Sequence, residues 1–184
     1  CRVGARAMKF VLWLGIVIAG LWLVTQFVVQ PFSIPSDSME PGLEIGDRIA
    51  VNKMAYLFAP IERGDIVVFN GQDSFSSGDK DYVKRVIGIG GDRVVCCDEA
   101  GRITVNGESV NEGAYLDSTM EPSGVTFDVE VPEGKLWLMG DNRANSADSR
   151  SHLGDPGGGF VSQSKVEGKA MAVIWPPQRI KVLD

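Results

Sequence analysis

The chain has 184 residues and a formal charge of −6, a length that allows one main folded domain. Its first thirty residues hold Arg2, Arg6 and Lys9 and no acid, which leaves 15 basic against 24 acidic residues in positions 31–184, a charge of −9. An acidic body with no Lys/Arg-rich stripe is a poor polyanion binder, and this excludes nucleic acid as a partner.

Residues 10–29 read FVLWLGIVIAGLWLVTQFVV, with Thr25 and Gln26 the only polar members. At 1.5 Å per residue such a run makes a helix about 30 Å long, the thickness of a bilayer's hydrocarbon core. A cleavable signal peptide would be shorter in its apolar part and end in a small-x-small site, whereas Gln30-Pro31-Phe32-Ser33-Ile34 follows here. The segment therefore reads as a retained transmembrane anchor over 10–29, behind a cytoplasmic stub over 1–9. The basic residues of the stub keep the N-terminus in the cytoplasm by the positive-inside rule and send residues 30–184 across the cell membrane as an extracytoplasmic domain. Cys1 in place of Met points to a truncated or processed chain.

Beyond the anchor, alternating and β-branched runs at 48–51, 66–69, 82–89, 93–97, 103–105, 125–131, 136–139 and 170–175 are separated by turn residues. No helical periodicity of comparable strength accompanies them, so the expected fold is mainly β, an antiparallel sheet behind one N-terminal transmembrane helix. Asn106-Gly107 predicts a two-residue hairpin turn, and residues 99–101 a longer one. The stretches 71–79 (GQDSFSSGD) and 154–159 (GDPGGG) read as mobile loops. Cys96 and Cys97 are adjacent, with Cα atoms about 3.8 Å apart across a trans peptide, below the usual disulfide range; this favours unbridged or intermolecular pairing over a vicinal bridge. Cys1, Cys96, Cys97 and His152 are a thin stock for structural zinc, which takes about four such ligands, and no cofactor is implied.

Some patterns have bland readings that outweigh the sharp ones. Two S-x-x-K matches, at 77–80 and 162–165, lie in polar loops without the K-T-G or S-D-N partners that give the motif meaning. Arg63-Gly64-Asp65 is an ordinary turn before the strand IVVF. Residues 141–146 resemble a calcium loop in composition only, because Arg143 and Ser146 stand where a ligand and the required Gly belong.

Three segments carry chemistry. Ser36 and Ser38 lie between Pro35 and Pro41, with Ile34 and Met39 as apolar flanks, and prolines restrain the backbone around them. Alone this is a weak signal. On the strand DYVKRVI, alternation puts Tyr82, Lys84 and Val86 on one face. If that face is buried, desolvation lowers the lysine pKa and makes Lys84 a candidate general base; a snorkelling lysine with its ammonium in water is the plainer reading of that strand by itself. The third segment is GDNRANSADSR, 140–150.

Taken together, these segments make the chain resemble the type I signal peptidases, membrane-bound Ser/Lys endopeptidases that remove signal peptides from exported proteins. The stretches that carry the resemblance are QPFSIPSDSMEPGLEIGDRIAVNKMAY (30–56), RGDIVVF (63–69), YVKRVIGIGGDRV (82–94) and GDNRANSADSR, in the family's order and behind the family's anchor. VVCCD and AVIWPP are most similar to its actinobacterial branch. The resemblance implies that Ser38 is the nucleophile of an acyl-enzyme mechanism and Lys84 its general base. It further implies that Ser36 offers its hydroxyl, beside the Ser38 N–H, to the oxyanion, that Ser146 orients Lys84, and that Asp148 and Arg150 form a supporting ion pair. The substrate would lie extended along an exposed strand edge against Ile34, Met39, Tyr82 and Val83, with small residues at the first and third positions before the cut. His152 has no implied role. Ala144 stands where the family commonly has Asp, which puts a supporting hydrogen bond in question, and residues 152–159 replace a shorter aromatic-rich stretch. Competing readings are a same-fold enzyme with another target, such as itself, and an anchored binding module with a dead site. Chain length supports the substrate class independently: Ser38 is eight residues beyond Gln30, so it lies within about 29 Å of the membrane end, where a signal peptide presents its scissile bond.

Overall fold

The apolar run is helical: α1 spans Arg2–Phe27. The structure, a computed structural model, describes residues 2–116 and 119–183, and within α1 the side chains from Met8 to Val24, all of which are exposed. Among the described residues no helix is long and apolar enough to cross a membrane. The helix stops at Phe27, and Val29 already opens strand β1 (Val29–Ser33), so the end of the expected span is taken up by the sheet.

The body follows as β2 (Arg48–Asn52), a one-turn helix α2 (Ala55–Phe58), β3 (Ile66–Asn70), β4 (Asp81–Ile89), β5 (Arg93–Cys96), β6 (Ile103–Val105), β7 (Glu108–Ser109), β8 (Phe127–Glu130), β9 (Lys135–Met139), β10 (Val161–Ser162), β11 (Val166–Trp175) and β12 (Lys181–Val182). The expectation of a mainly β, antiparallel body holds. One sheet runs β1-β2-β11-β3-β4-β9-β10 with β12 paired to β11, and a smaller one runs β7-β6-β5-β8. The sequence reading missed β1 because Pro31 sits inside it; as an edge strand β1 tolerates a residue without an N–H. Register shifts in β11 between Ala170 and Ala172 and between Val173 and Trp175 mark irregularities of the kind that bend a sheet. Asn106 and Gly107 both have positive φ, as the predicted hairpin turn requires.

Three apolar clusters hold the layers together. Ile49, Val51, Ile66, Val68, Ala170 and Val173 of the central strands pack under Ile34, Met39 and Leu43, which follow β1. Trp137 and Met139 join Val94, Ile103 and Phe127 of the small sheet. Val67, Phe69, Val86, Leu136 and Leu138 form the third cluster.

Two expectations are corrected. The stretch 71–79 is packed rather than loose: Phe75 is buried, edge-on to Phe69 at 5.3 Å and to Tyr82 at 5.8 Å, and stacked on His152 at 4.7 Å. One aromatic among polar residues is enough to pin the loop, because its burial outweighs the mobility that Gly and Ser suggest. Cys96 and Cys97 are bridged, across a cis peptide that brings their Cα atoms to 2.9 Å; the trans spacing assumed from the sequence does not apply.

Candidate active site

Between Pro35 and Pro41 the chain makes a turn, with Glu40 N–H donating to the Asp37 carbonyl (3.0 Å) and Leu43 N–H to the Met39 carbonyl (2.8 Å). Met39 and Leu43 are sunk in the core below and fix this turn against β2, β3 and β11. Lys84 leaves β4 in the middle of the sheet, and its Nζ donates to Ser38 Oγ at 2.6 Å. It is 3 % exposed. Burial lowers the ammonium to about 8 from 10.5, and the more distant Asp148 and Asp141 offset only part of that fall. Ser36 Oγ lies 3.4 Å from Ser38 Oγ, on the same side of the turn.

The segment 140–150 forms the floor. Asn142 N–H donates to the Ser38 carbonyl (3.1 Å), Asn142 Nδ2 to the Asp37 carbonyl (3.2 Å) and Asn145 Nδ2 to Asp37 Oδ2 (2.6 Å). Asp148 accepts from Gly140 N–H at 3.0 Å and takes a two-pronged bond from Arg150 at 2.9 and 2.7 Å. Burial works to raise the Asp148 carboxyl, but Arg150, the Gly140 N–H and the nearby Ser146 hydroxyl together hold it below the usual range. A side chain at Gly140 would collide with Ser146 Oγ and the Ser38 carbonyl. Ser146 Oγ is buried, and although it sits near the Asp148 carboxylate it forms no hydrogen bond of ordinary geometry among the described residues. The expected bond from Ser146 to Lys84 is therefore not made here; Lys84 is engaged by Ser38.

The sequence reading missed the layer beneath. Arg85, next to Lys84 on the opposite face of β4, grips Asp141 with Nε and Nη2 at 2.8 Å each, donates to the Gly64 carbonyl (2.8 Å) and stacks its guanidinium 4.0 Å from the Tyr115 ring centre. Arg143 donates to the Gly140 and Pro122 carbonyls and pairs with buried Glu112. The signal was present in the K-R pair at 84–85: alternation forces both cations into a sheet flanked by apolar residues, and a buried arginine calls for a carboxylate. In the sequence Asp141 stands within GDNRANSADSR with nothing local to pair it with Arg85.

Ile34, Met39, Tyr82 and Val83 come together to line a cavity of about 260 Å³ that Ser36, Ser38 and Lys84 also border. The cavity lies between two free backbone edges. β4 pairs with β3 along its N-terminal half but meets β9 only from Arg85 onward, and β1 is paired on one side only. His152 does not join the Ser/Lys cluster; its Nδ1 lies 2.6 Å from Asp155 Oδ2 and its ring stacks on Phe75.

The family profile described as signal peptidase, peptidase S26, matches residues 7–175. The chain is 36% identical to the probable signal peptidase I of Mycobacterium leprae (strain TN), over 90% of this chain and 75% of that one. It is 39% identical to the signal peptidase I of Mycobacterium tuberculosis (strain ATCC 25618 / H37Rv), over 86% and 69%. It is 30% identical to the signal peptidase IB of Staphylococcus aureus (strain N315), over 95% and 92%.

Proposed function

The chain belongs to the signal peptidase family, peptidase S26, as a serine endopeptidase of the type I class, and on that premise we propose that it cuts signal peptides from exported preproteins with Ser38 and Lys84. The observation that carries the proposal is the 2.6 Å contact of Lys84 Nζ with Ser38 Oγ at a buried lysine whose pKa is lowered to about 8. A neutral amine there accepts the hydroxyl proton as Oγ attacks the scissile carbonyl carbon. The Ser36 hydroxyl and the Ser38 N–H stabilise the oxyanion. Lys84 then protonates the departing amine, which leaves the signal peptide as an ester on Ser38, and it next deprotonates the water that hydrolyses that ester. Once Ser38 is acylated Lys84 loses its partner; Ser146, buried beside Gly140 and without a hydrogen bond of ordinary geometry among the described residues, is the hydroxyl that orients the lysine in this second half. Asp148 and Arg150 hold Gly140 and so the floor in place.

The substrate adds as a strand to the free edge of β4 at 81–84, facing the free edge of β1. Backbone bonds hold it, and the small apolar cavity accepts only small side chains next to the cut. We also propose that α1 is the anchor. Over residues 10–24 it is apolar on every side, its described side chains are all exposed, and a helix of that kind is matched to lipid. The basic residues Arg2, Arg6 and Lys9 in its N-terminal turns put the body outside the cytoplasm.

The test is incubation of the detergent-solubilised chain with a preprotein and sequencing of the new N-terminus. A cut after a small-x-small site, abolished by Ser38→Ala and by Lys84→Met, is the expected result; unchanged cleavage by either variant would refute the dyad. Extraction at high pH should leave the chain in the membrane fraction. A membrane-impermeant lysine reagent on spheroplasts should label the body, and failure to do so refutes the orientation.

A further inference from the structure

After β2 the chain makes a short projection whose tip, Leu57-Phe58-Ala59-Pro60, is exposed throughout, with Phe58 at 84 % and Leu57 at 69 %. Single exposed leucines are common on soluble surfaces, but four consecutive apolar residues led by a bare phenylalanine are not. The tip is braced at both ends. Met54 N–H donates to Asn52 Oδ1 (2.9 Å), Tyr56 OH donates to Asp65 Oδ2 (3.0 Å), Glu62 N–H donates to the same carboxylate (3.1 Å), and Ile61 packs against the third apolar cluster. The two lysines at its base are matched, Lys53 with Glu167 at 3.5 Å and Lys169 with Asp65 at 2.5 Å. The fold thus holds out an apolar tip on a fixed base.

Its position relative to α1 does not depend on how the body leans. Val28 directly follows the last residue of α1, and its carbonyl accepts from Lys53 N–H at 2.9 Å. Phe58 is five residues beyond Lys53, so its Cα lies within about 18 Å of that junction. We propose that residues 57–60 are an interfacial finger that seats Leu57 and Phe58 in the headgroup–acyl boundary of the membrane that holds α1. This rests on the reading of α1 as an anchor. A finger of this kind is a second point of contact for a body otherwise held by one helix, and it restrains how far the serine turn can swing from the lipid surface.

The test places one environment-sensitive fluorophore at a time on the full chain carrying Cys1→Ser, through Phe58→Cys, Leu21→Cys in α1 or Glu99→Cys on the far sheet, in phosphatidylcholine–phosphatidylglycerol vesicles containing lipids with quenchers at graded depths. The expected result is deep quenching at position 21, none at 99, and at 58 a blue shift with strongest quenching by the shallow lipid, about 5–10 Å below the headgroups. Quenching at 21 but not at 58 overturns the finger and leaves the anchor standing. Absence at both overturns both, and quenching at 58 alone also refutes the proposal, because the finger is placed in the membrane that holds α1. Protection of the label at 58 by a second copy in lipid-free detergent, without lipid quenching, also refutes the proposal. In parallel, Leu57→Ser combined with Phe58→Ser should slow cleavage of a vesicle-embedded preprotein about tenfold, while cleavage of a soluble peptide spanning the site is unchanged; equal rates on the embedded preprotein refute it.

Discussion

Lys84 and Arg85 are neighbours on one strand, both cationic by type and both buried, yet the two faces of β4 treat them oppositely. Lys84 meets a serine hydroxyl and, among the described residues, no ion-pair partner, so burial makes its charge easy to lose. Arg85 meets a carboxylate fork, a carbonyl and an aromatic ring, so its charge is locked in place. On the proposed mechanism the difference teaches where the chemistry sits: the reactive face is the one from which a close counter-ion has been withheld, and the supporting face is the one where it has been supplied. A desolvated amine costs stability and gains reactivity, and a satisfied ion pair does neither by itself but collapses if one partner is removed.

The sharpest way to break the comparison is to delete each cation in turn. Lys84→Met should lower preprotein turnover by about a thousandfold or more, read by the initial rate of cleavage, without lowering the unfolding midpoint. Arg85→Met strands Asp141 as a buried unpaired charge and should cost about 3–5 kcal/mol in denaturant unfolding; adding Asp141→Leu should return much of it. A next-largest effect distinguishes the two faces by pH. The unfolded lysine keeps its proton up to 10.5 while the folded one releases it at about 8, so between these values the unfolded chain binds more protons and stability rises with pH. Below about 8 the full burial cost is present. Lys84→Met should therefore be more stable than the parent by up to about 3 kcal/mol at pH 7, an advantage that shrinks above about 8 and is gone beyond 10.5, measured by unfolding at each pH. Activity should follow the same proton in the other sense: it should fall about tenfold per pH unit below about 8, because in the proposed mechanism only the neutral amine accepts from Ser38. The smallest effect belongs to His152→Ala, which should keep most of the turnover; an inactive but folded variant would mean that a histidine, and not Lys84, is the base.

How much of this was legible in the sequence varies with the kind of interaction. Period-two alternation placed Tyr82, Lys84 and Val86 on one face, and the hairpin at Asn106-Gly107 followed from its dipeptide, because both are local rules. Ser38 and Lys84 were singled out in advance, yet only the structure brings them within 2.6 Å, since residues 46 apart in sequence meet through sheet order rather than spacing. Asp141 and Tyr115 could not be paired with Arg85 for the same reason. Strand β1 was hidden by Pro31, whose usual meaning as a strand breaker fails at an edge. Phe75 was hidden in a polar loop that looked free, because neighbouring Gly and Ser say nothing about where one aromatic ring packs.

Gly140 carries a consequence in terms of inheritance. Every residue other than glycine brings a Cβ, and at this position that atom would meet the Ser38 carbonyl on one side and Ser146 Oγ on the other. Whatever base is altered in its codon, any change of amino acid wedges the Ser38 turn away from the floor that Asp148 and Arg150 hold. Alanine, the mildest replacement anywhere else, is no refuge here, so the codon tolerates only silent change for as long as the serine turn and the floor stay in contact.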